Sequence, residues 1–390
     1  MTSIFNPFTL QIPTKILFGR GRSAELPGHM RPYGRRVLLV YGGGSIKKTG
    51  LYAHICELLK DFEVFELSGV DPSPRITSVN AGGRLCREQH IDMVLAVGGG
   101  SVLDCCKLIC DAALYEGDAW DLVLDPAKIK GALPLFAVLT LAATGSDFNC
   151  GAGITSLERK EKRDVIVPCN YPKVSVLDPA LTMTVSRRQT AAGCADIISH
   201  VLEQYLVGGS AMLTDGLCEA LLRTVIKFGP RAVENGEDYC ARTNLLWASS
   251  LACSGLCALG SESSVWPAHA IEHEVAAYFD CTHGESLAVL TPVLLRLTLN
   301  EKSAPRYAAL ARAVFGVKER DDFAAARAGI KALQDLFAAL GLPGRLSALG
   351  VDDRSQFAAM ARHVCANKPL HEAFVALDEA LVLELLQQSF

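Results

Sequence analysis

Short apolar runs alternate with helix-like patterns along the first half of the chain. Strands separated by helical patterns of roughly 10–15 residues predict a parallel, doubly wound sheet. The predicted strands cover residues 36–41, 61–66, 93–97, 135–140 and 173–177. Residues 16–18 and the segment around Ile166 are candidates for additional strands.

The pattern changes near residue 186, after which strand-like runs disappear. Later segments have apolar residues three and four positions apart, the spacing that an amphipathic helix requires. These segments are DGLCEALLRTVIKF (215–228), YAALARAVFGV (307–317), AAARAGIKALQDLFAALG (324–341) and EALVLELLQQSF (379–390). We therefore predict a Rossmann-like α/β domain over residues 1–186 and an all-helical domain over residues 187–390.

Two of the predicted strands end in the same glycine-rich turn. The segments LLVYGGGSIKKTG and LAVGGGSVLDCCK place three glycines and a serine before a helix, at residues 42–45 and 98–101. Glycine lets the backbone approach a phosphate, and the following helix presents free N–H groups and a positive dipole end. One such turn is about as often a simple tight connection, but two at matching strand ends predict dinucleotide binding. Neither has the GxGxxG spacing of the ordinary Rossmann fingerprint.

Polar residues accompany these turns. Asp104 lies three residues past Ser101. It is either a first-turn carboxylate favoured by the helix dipole or a hydrogen-bond acceptor near the nicotinamide-side ribose. Thr140, Thr144 and Ser146 lie at another strand end, in LTLAATGSD. Their hydroxyl groups either contact the cofactor or satisfy the turn locally.

Histidines and one aspartate cluster in the helical half. His269, His273 and His283 fall within 15 residues, and Asp196 precedes His200 by four. A spacing of four places both side chains on one face of a helix. A carboxylate with several imidazoles predicts a transition metal, iron or zinc, and is too rich in nitrogen for magnesium or calcium. The alternative for Asp196 and His200 is a surface pair, which their small and apolar neighbours disfavour.

Composition narrows the class of protein. The 390 residues are 50% hydrophobic and 21% charged, which excludes a disordered chain. The net charge is −4 and no basic block occurs, so we expect neither a nucleic-acid nor a membrane partner. The 14 cysteines include no CxxC pair, and most lie among apolar residues, as expected of free buried thiols. No signal-peptide pattern opens the sequence, and we expect a cytoplasmic protein.

Taken together, these segments resemble the iron-containing alcohol dehydrogenase family along essentially the whole chain. Within it they are most similar to the butanol dehydrogenase-like, NADPH-dependent aldehyde reductases. The matching segments are YGGGSIKKTG (41–50), VGGGSVLDCCK (97–107), TLAATGSD (140–147), DPALT (178–182), DIISHVLEQY (196–205) and HAIEHEVAAYFDCTHGESLAVLTP (269–292). The resemblance implies a dehydroquinate synthase-like architecture and the interconversion of primary alcohols and aldehydes by a metal-dependent homodimer.

The resemblance also implies particular site residues. The ligands of one Fe²⁺ or Zn²⁺ ion would be Asp196, His200, His269 and His283, with His273 beside the substrate as the catalytic residue. The cofactor contacts would be Gly42, Gly43, Gly44, Ser45, Gly98, Gly99, Gly100, Ser101, Asp104, Thr140, Thr144, Asn149 and Lys162, with Lys160 as the alternative to Lys162.

NADP(H) is the expected cofactor, in preference to NAD(H). Relatives that prefer NAD often carry an acidic residue in the first glycine turn, whereas this chain has Gly43 and Ser45 there and Lys47 nearby. Two other functions use the same architecture and remain alternatives. They are a glycerol dehydrogenase-like polyol oxidoreductase and a dehydroquinate synthase-like lyase.

Overall fold

The computed structural model describes residues 6–207 and 211–390. Spatial contacts divide the chain into two compact units, which we call the sheet unit and the helical unit. The sheet unit is Gln11–Val185 with Gly236–Ser250, and the helical unit is Ser186–Asn235 and Leu251–Phe390 with the N-terminal segment up to Leu10. An α/β unit and an all-helical unit together confirm the expected fold class.

The strands follow the apolar runs of the sequence closely. In chain order the described strands are β1 (Lys15–Phe18), β2 (Arg36–Tyr41), β3 (Glu63–Leu67), β4 (Met93–Gly98), β5 (Leu135–Leu139), β6 (Gly151–Ser156), β7 (Glu161–Ile166) and β8 (Val174–Leu177). Six of these form a parallel sheet in the order β1-β8-β5-β4-β2-β3. The segment around Ile166 does form a strand, but β6 and β7 pair as a separate antiparallel hairpin.

Helices cover both faces of this sheet. They are α1 (Leu26–Met30), α2 (Ser45–Lys48), α3 (Leu51–Leu58), α4 (Ile76–Glu88), α5 (Gly100–Ala112) and α6 (Trp120–Leu124). Leu38 and Val40 of β2 pack into one core with α4 and α5, and the alternate residues Val37 and Leu39 pack into a second core with α1 and α3. Because both faces are buried, the central strands β4 and β5 are apolar throughout, whereas the edge strand β3 carries two exposed glutamates.

The glycine turns lie together at one edge of the sheet. β2 and β4 are direct neighbours, and both run into a glycine turn at their carboxyl ends. The next strand in sequence lies on the far side in each case, since β3 flanks β2 and β5 flanks β4. The chain therefore reverses its direction of winding between β2 and β4. Such a switch point is where open α/β sheets bind ligands.

The second half of the chain is helical, and most of its helices lie in the helical unit. From α7 onward the helices are α7 (Arg187–Tyr205), α8 (Met212–Glu234), α9 (Tyr239–Ala252), α10 (Pro267–Phe279), α11 (His283–Leu297), α12 (Ala304–Phe315), α13 (Asp322–Ala339), α14 (Phe357–Asn367) and α15 (Glu379–Ser389). Ile271, Leu290, Met360 and Leu385 belong to one apolar core shared by α10, α11, α14 and α15. None of the helices in the described parts of the chain combines the length and apolar character needed to cross a bilayer.

Two segments belong to a different unit from the one that a boundary at residue 186 predicts for them. Most of α9 belongs to the sheet unit, where the Trp247 ring lies 5.8 Å from that of Phe18 and 6.3 Å from that of Phe148. The N-terminal segment belongs to the helical unit, where the Asn6 side chain donates to the Ser261 carbonyl at 2.9 Å. Helical periodicity indicates that α9 is a helix, but it does not specify which core the helix joins.

The cysteines are free, as their spacing indicates. All 14 lie in described positions and none is in a disulfide. Cys105 and Cys106 are fully buried on α5, and burial raises the pKa of Cys105 to about 12. A thiol that stays protonated is a poor nucleophile, so these two residues serve as small core side chains.

Asp111 on α5 provides a test of the burial of this unit. Burial raises its pKa to about 7, against the opposing effect of the Asn170 amide, which donates to Asp111 at 2.9 Å. The unfolded chain ionises this group near pH 4, so between about pH 4 and 7 the folded state loses stability as pH rises. Asp111→Asn should therefore raise the melting temperature at pH 8 and change it little at pH 4.

The corresponding gain in the free energy of unfolding at pH 8 is on the order of a few kcal/mol at most. Thermal denaturation followed by circular dichroism at both pH values measures it. Asp352→Asn, which neutralises an exposed carboxylate, is the matched control. The same shift at pH 4 and pH 8 would show that Asp111 is not the source of the pH dependence.

Candidate metal centre and cofactor turns

The site in the helical unit begins on α7. The Ser186 hydroxyl caps this helix by accepting from the Gln189 N–H at 3.2 Å. Ten residues further on, Asp196 and His200 lie one turn apart on the same face, as their spacing predicts. His200 Nε2 is 3.5 Å from Asp196 Oδ1.

Two further histidines reach the same carboxylate oxygen from other helices. His269 lies in the first turn of α10, and its Nε2 is 3.8 Å from Asp196 Oδ1. His283 begins α11, and its Nε2 is 3.5 Å from the same oxygen. Four ligands at 2.0–2.2 Å from one tetrahedral ion are separated from each other by roughly 3.3–3.6 Å. The distances from Asp196 Oδ1 to the three imidazoles are close to this value, and ligand atoms of Asp196, His200 and His269 also lie within 4.8 Å of one another. The arrangement is therefore compatible with one shared divalent transition metal.

Unpartnered buried atoms give an independent test of that fit. Asp196 Oδ1 and His269 Nε2 are buried and have no hydrogen-bond partner among the described residues. A buried polar atom without a partner costs free energy, so it calls for an explanation such as an ion. Both atoms belong to the candidate ligand set and face each other, which is the arrangement expected of residues that share a cation.

The charges of the site favour a bound cation. Burial disfavours a charged Asp196, but the surrounding imidazoles outweigh it and hold the pKa of Asp196 below its usual value. Burial lowers the pKa of His200 to about 3, which leaves its imidazole neutral and able to coordinate. Burial also opposes protonation of His269, yet the carboxylates of Glu203 and Asp196 raise its pKa to about 10. A metal ion held by His269 would therefore displace a proton.

The approach of α11 to α7 depends on a glycine that the sequence analysis did not single out. A Cβ on Gly284 would lie 2.0 Å from the Ala192 carbonyl oxygen of α7, so only glycine fits there. Next to it, Glu285 accepts from Arg188 of α7 at 2.6 and 2.7 Å. These contacts bring the first turn of α11, and with it His283, against the face of α7 that carries Asp196.

Two buried glutamates behind the histidines were also missed. Glu203 accepts a hydrogen bond from His269 Nδ1, and Glu272 pairs with His283 Nδ1. Glu203 follows Asp196 by seven positions and His200 by three, so all three share one face of α7. That spacing is visible in DIISHVLE, and it is the signal from which Glu203 could have been found.

Aromatic rings and one further histidine border the cluster. The Trp266 ring lies 5.7 Å from that of His200 and 5.2 Å from that of His269. His273 lies one turn after His269 on α10, with its ring 6.0 Å from that of His283. Potential ligand atoms of Glu272, His273 and His283 lie within 4.8 Å of one another. The expected catalytic histidine is therefore placed beside the ligand set.

In the sheet unit, the second glycine turn, residues 98–101, is packed closely against neighbouring side chains. A Cβ on Gly98 would lie 2.6 Å from Val102 Cγ2, and one on Gly100 would lie 2.2 Å from Thr144 Oγ1. These two glycines are therefore needed whether or not a phosphate binds. A Cβ on Gly99 would lie 3.3 Å from Leu141, the nearest side chain. The first turns of α5 leave N–H groups available for an anion.

The first glycine turn is more open. Gly44 has φ +96°, a left-handed conformation that favours glycine. A Cβ on Gly43 would meet nothing within 4 Å, and Gly43 and Ser45 are both exposed. A Cβ on Gly42 would lie 3.3 Å from the Val70 carbonyl oxygen. Gly43 and Ser45 thus leave a free surface at the carboxyl end of β2.

Asp104 ties three segments of the sheet unit together. Its carboxylate accepts from the Ser146 hydroxyl at 2.6 Å and from the Gly153 N–H at 3.0 Å. Burial raises its pKa, which Lys107 and these hydrogen bonds oppose. The structure therefore gives Asp104 a local bonding role, beside the ribose contact expected from the sequence.

The lysine alternatives differ clearly in position. Lys162 lies on β7. A Cβ built on Gly153 would lie 3.8 Å from Lys162 Cε and 3.8 Å from Asp104 Oδ2. Lys160 is exposed in the hairpin turn with φ +51°. The structure thus brings Lys162 to the neighbourhood of Asp104.

Asn149 and the threonines occupy the segment after β5. Asn149 Oδ1 accepts from Lys107 Nζ at 2.9 Å and from the Gly151 N–H at 3.0 Å. Thr144 Oγ1 accepts from the Ser146 N–H at 3.2 Å, and the Thr140 N–H donates to the Gly98 carbonyl at 3.0 Å. These bonds hold the segment against the second glycine turn, near which the sequence analysis expects the cofactor.

Comparison with known proteins places these features in a family. The model for "Iron-containing alcohol dehydrogenase" matches residues 13–179, and that for "Fe-containing alcohol dehydrogenase family, C-terminal" matches residues 190–390. The chain is 45% identical to NADH-dependent butanol dehydrogenase A of Clostridium acetobutylicum, over 92% of this chain and 93% of that protein. It is 38% identical to the NADPH-dependent aldehyde reductase YqhD of Escherichia coli, over 90% of this chain and 91% of that protein.

Solved structures agree with this similarity. NADH-dependent butanol dehydrogenase A from Thermotoga maritima has a TM-score of 0.94 and 34% identity, covering 99% of both chains. YqhD from E. coli K-12 has a TM-score of 0.95 and 34% identity, covering 100% of both chains.

Gly284 provides a test of the helix packing that forms the cluster. Gly284→Ala should push the start of α11 away from Ala192 and move His283 from Asp196. We expect a loss of stability of about 1–3 kcal/mol and a lower metal content, measured by thermal denaturation and elemental analysis.

The matched control is Gly216→Ala. Gly216 is an exposed glycine within α8 where a Cβ meets nothing within 4 Å. Alanine there should stabilise the helix by about 0.5–1 kcal/mol. If Gly284→Ala kept the wild-type metal content, the proposed dependence of the cluster on this contact would be wrong.

Proposed function

Because the chain belongs to the iron-containing alcohol dehydrogenase family, we propose that it reduces aldehydes to primary alcohols with NADPH. It is a metal-dependent, nicotinamide-linked alcohol dehydrogenase or aldehyde reductase acting on small molecules. The single observation that carries the proposed site is the convergence of three imidazole nitrogens within 3.8 Å of one buried oxygen of Asp196. We propose Asp196, His200, His269 and His283 as the ligands of one Fe²⁺ or Zn²⁺ ion.

The bound groups supply the central chemistry: the metal ion is a Lewis acid for the substrate oxygen, and NADPH carries the hydride. The residues of the chain bind and orient the metal ion and the cofactor. Asp196 contributes the negative charge that offsets the cation, and the neutral His200 adds a ligand without adding charge. The N-terminus of α5, after Gly98 and Gly99, binds the pyrophosphate through its free N–H groups.

A proton must also reach the alcohol oxygen as hydride is transferred. We propose that the imidazole of His273 delivers it, since this ring lies one turn from His269 and beside His283. The Trp266 ring, packed against His200 and His269, keeps water from that side of the ligands. Exclusion of water strengthens the electrostatic interactions on which the transfer depends.

The substrate class follows from the relatives and from general properties of apolar sites. The similar proteins are named butanol dehydrogenases and an aldehyde reductase, so unbranched aliphatic aldehydes are the proposed substrates. Hydrophobic contacts discriminate weakly among chain lengths, since each methylene contributes only about 1–3 kcal/mol. A broad range of aldehydes is therefore expected.

We propose NADP(H) as the preferred cofactor. The relatives at 45% and 44% identity are named NADH-dependent, and the relative at 38% identity is named NADPH-dependent. Support for NADP(H) comes from the first glycine turn, residues 42–45. It has no acidic side chain, and Gly43 leaves open space. Lys47 follows on α2, with Nζ 4.6 Å from the centre of the Tyr52 ring. An ammonium group beside an open turn suits a 2′-phosphate.

Two further expectations stay predictions. The homodimer has one candidate surface in β1, which lies at an edge of the sheet where backbone groups are available for pairing. The cytoplasmic location rests on the sequence pattern alone.

The proposed function is tested by metal analysis of anaerobically purified protein together with rates of butyraldehyde reduction. We expect close to one equivalent of iron or zinc per chain and NADPH-dependent reduction. His200→Ala should lose metal and activity together, each by at least about tenfold. His363→Ala is the control, since His363 is a histidine of the same unit that pairs with Glu274 outside the proposed ligand set.

Three outcomes contradict the proposal. One is full metal content and activity in His200→Ala. A second is glycerol oxidation without aldehyde reduction, which favours the polyol oxidoreductase. The third is cyclisation of a phosphorylated sugar acid, which favours the lyase.

Cofactor preference is tested by comparing kcat/KM for NADPH and NADH. Lys47→Ala should lower kcat/KM for NADPH by about two- to fivefold, the value of an exposed ion pair, and leave that for NADH nearly unchanged. Lys48→Ala removes the same charge from the neighbouring position and is the control. A wild-type preference for NADH, or equal effects of Lys47→Ala on both cofactors, would remove Lys47 as a determinant.

A further inference from the structure

Two of the three histidines around Asp196 are backed by buried carboxylates. His269 Nδ1 is hydrogen-bonded to Glu203, and His283 Nδ1 is paired with Glu272. The Glu203 side chain is 5% exposed, and the Glu272 side chain is fully buried. A buried carboxylate is costly unless it is paired, so neither contact is an incidental surface pair.

Each of the two carboxylates lies on the ligand-bearing helix that precedes the helix of its histidine. Glu203 of α7 reaches the histidine of α10, and Glu272 of α10 reaches the histidine of α11. Thus α7 and α10 each orient the histidine on the next helix of this set. Glu203 also accepts from the N–H groups of Ala268 and His269 at 2.6 and 3.1 Å, so it caps the start of α10.

His200 is held differently. Its Nδ1 is buried and has no hydrogen-bond partner among the described residues. Its ring instead stacks on that of His269, with centroids 4.8 Å apart and 18° between the planes. The cluster therefore has two histidines oriented by carboxylates and one oriented by packing.

We propose that Glu203 and Glu272 are positioning residues for the metal centre, an inference that rests on the proposed function. A carboxylate on Nδ1 fixes the imidazole as the Nδ1–H tautomer, which leaves the lone pair of Nε2 directed at Asp196. The negative charge also makes the imidazole a better donor to a cation. Glu203 and Glu272 thus set how tightly the ion is held, without contacting it.

The test compares the release of Zn²⁺ from the zinc-loaded full-length protein to a chromogenic chelator. Glutamine keeps the shape of glutamate and removes its charge, so Glu203→Gln and Glu272→Gln are the test variants. We expect each to weaken zinc binding by about 10- to 100-fold, seen mainly as faster release. Glu272→Gln is the more informative variant, because Glu203 also caps α10 and its substitution can disturb folding.

Glu274→Gln is the matched control. Glu274 lies two residues further along α10, is also buried, and its carboxylate pairs with Nδ1 of a histidine, His363, at 2.9 Å. Since His363 is outside the proposed ligand set, this change should leave zinc release within about twofold of the wild type. The control separates the loss of a buried carboxylate–histidine pair from the loss of a pair that supports a ligand.

A second measurement excludes a purely structural effect. The absorption spectrum of the Co²⁺-substituted protein reports the ligand field, and Glu272→Gln should shift it while thermal denaturation of the metal-free protein stays as in Glu274→Gln. Zinc release and a cobalt spectrum like those of the wild type in Glu272→Gln would overturn the positioning role. The proposed function would then still stand, whereas it fails if the wild-type chain binds neither ion.

Discussion

The helical unit depends on one constraint, the buried carboxylate of Asp196 and the three imidazoles that face it. A buried charge is tolerated only when neighbouring groups or a cation compensate it. Here the compensating groups come from α10 and α11, so both helices must start beside the same face of α7. The capping of α10 by Glu203 and the close contact of Gly284 with Ala192 satisfy that requirement.

The sheet unit is organised by a different constraint, the close approach of successive turns. Gly98 and Gly100 have no room for a side chain because Val102 and Thr144 occupy that space. Asp104 then joins the turn after β5 to β6 through Ser146 and Gly153. Residues expected to contact a cofactor therefore also hold the turns together, and substitutions there affect folding as well as binding.

Much of the fold could be predicted from patterns of single segments. Apolar runs located the central strands of the sheet, because strands buried on both faces contain little else. Spacings of three and four located the helices of the second half. The patterns did not show that 161–166 pairs with 151–156 in a separate hairpin, nor that Trp247 of α9 packs in the sheet unit. Those outcomes depend on partners that are distant in sequence.

The candidate site, like the fold, could be predicted from the sequence only in part. The sequence by itself determined the chemistry on offer: the spacing of Asp196 and His200 places both on one helix face, and two further histidines offer imidazole ligands. Only the tertiary structure decided which atoms meet, and it revealed Glu203 and Glu272 behind the histidines. Periodicity reports the face of a helix on which a side chain lies. The partner of that face is set by packing between helices distant in sequence, which no local spacing records.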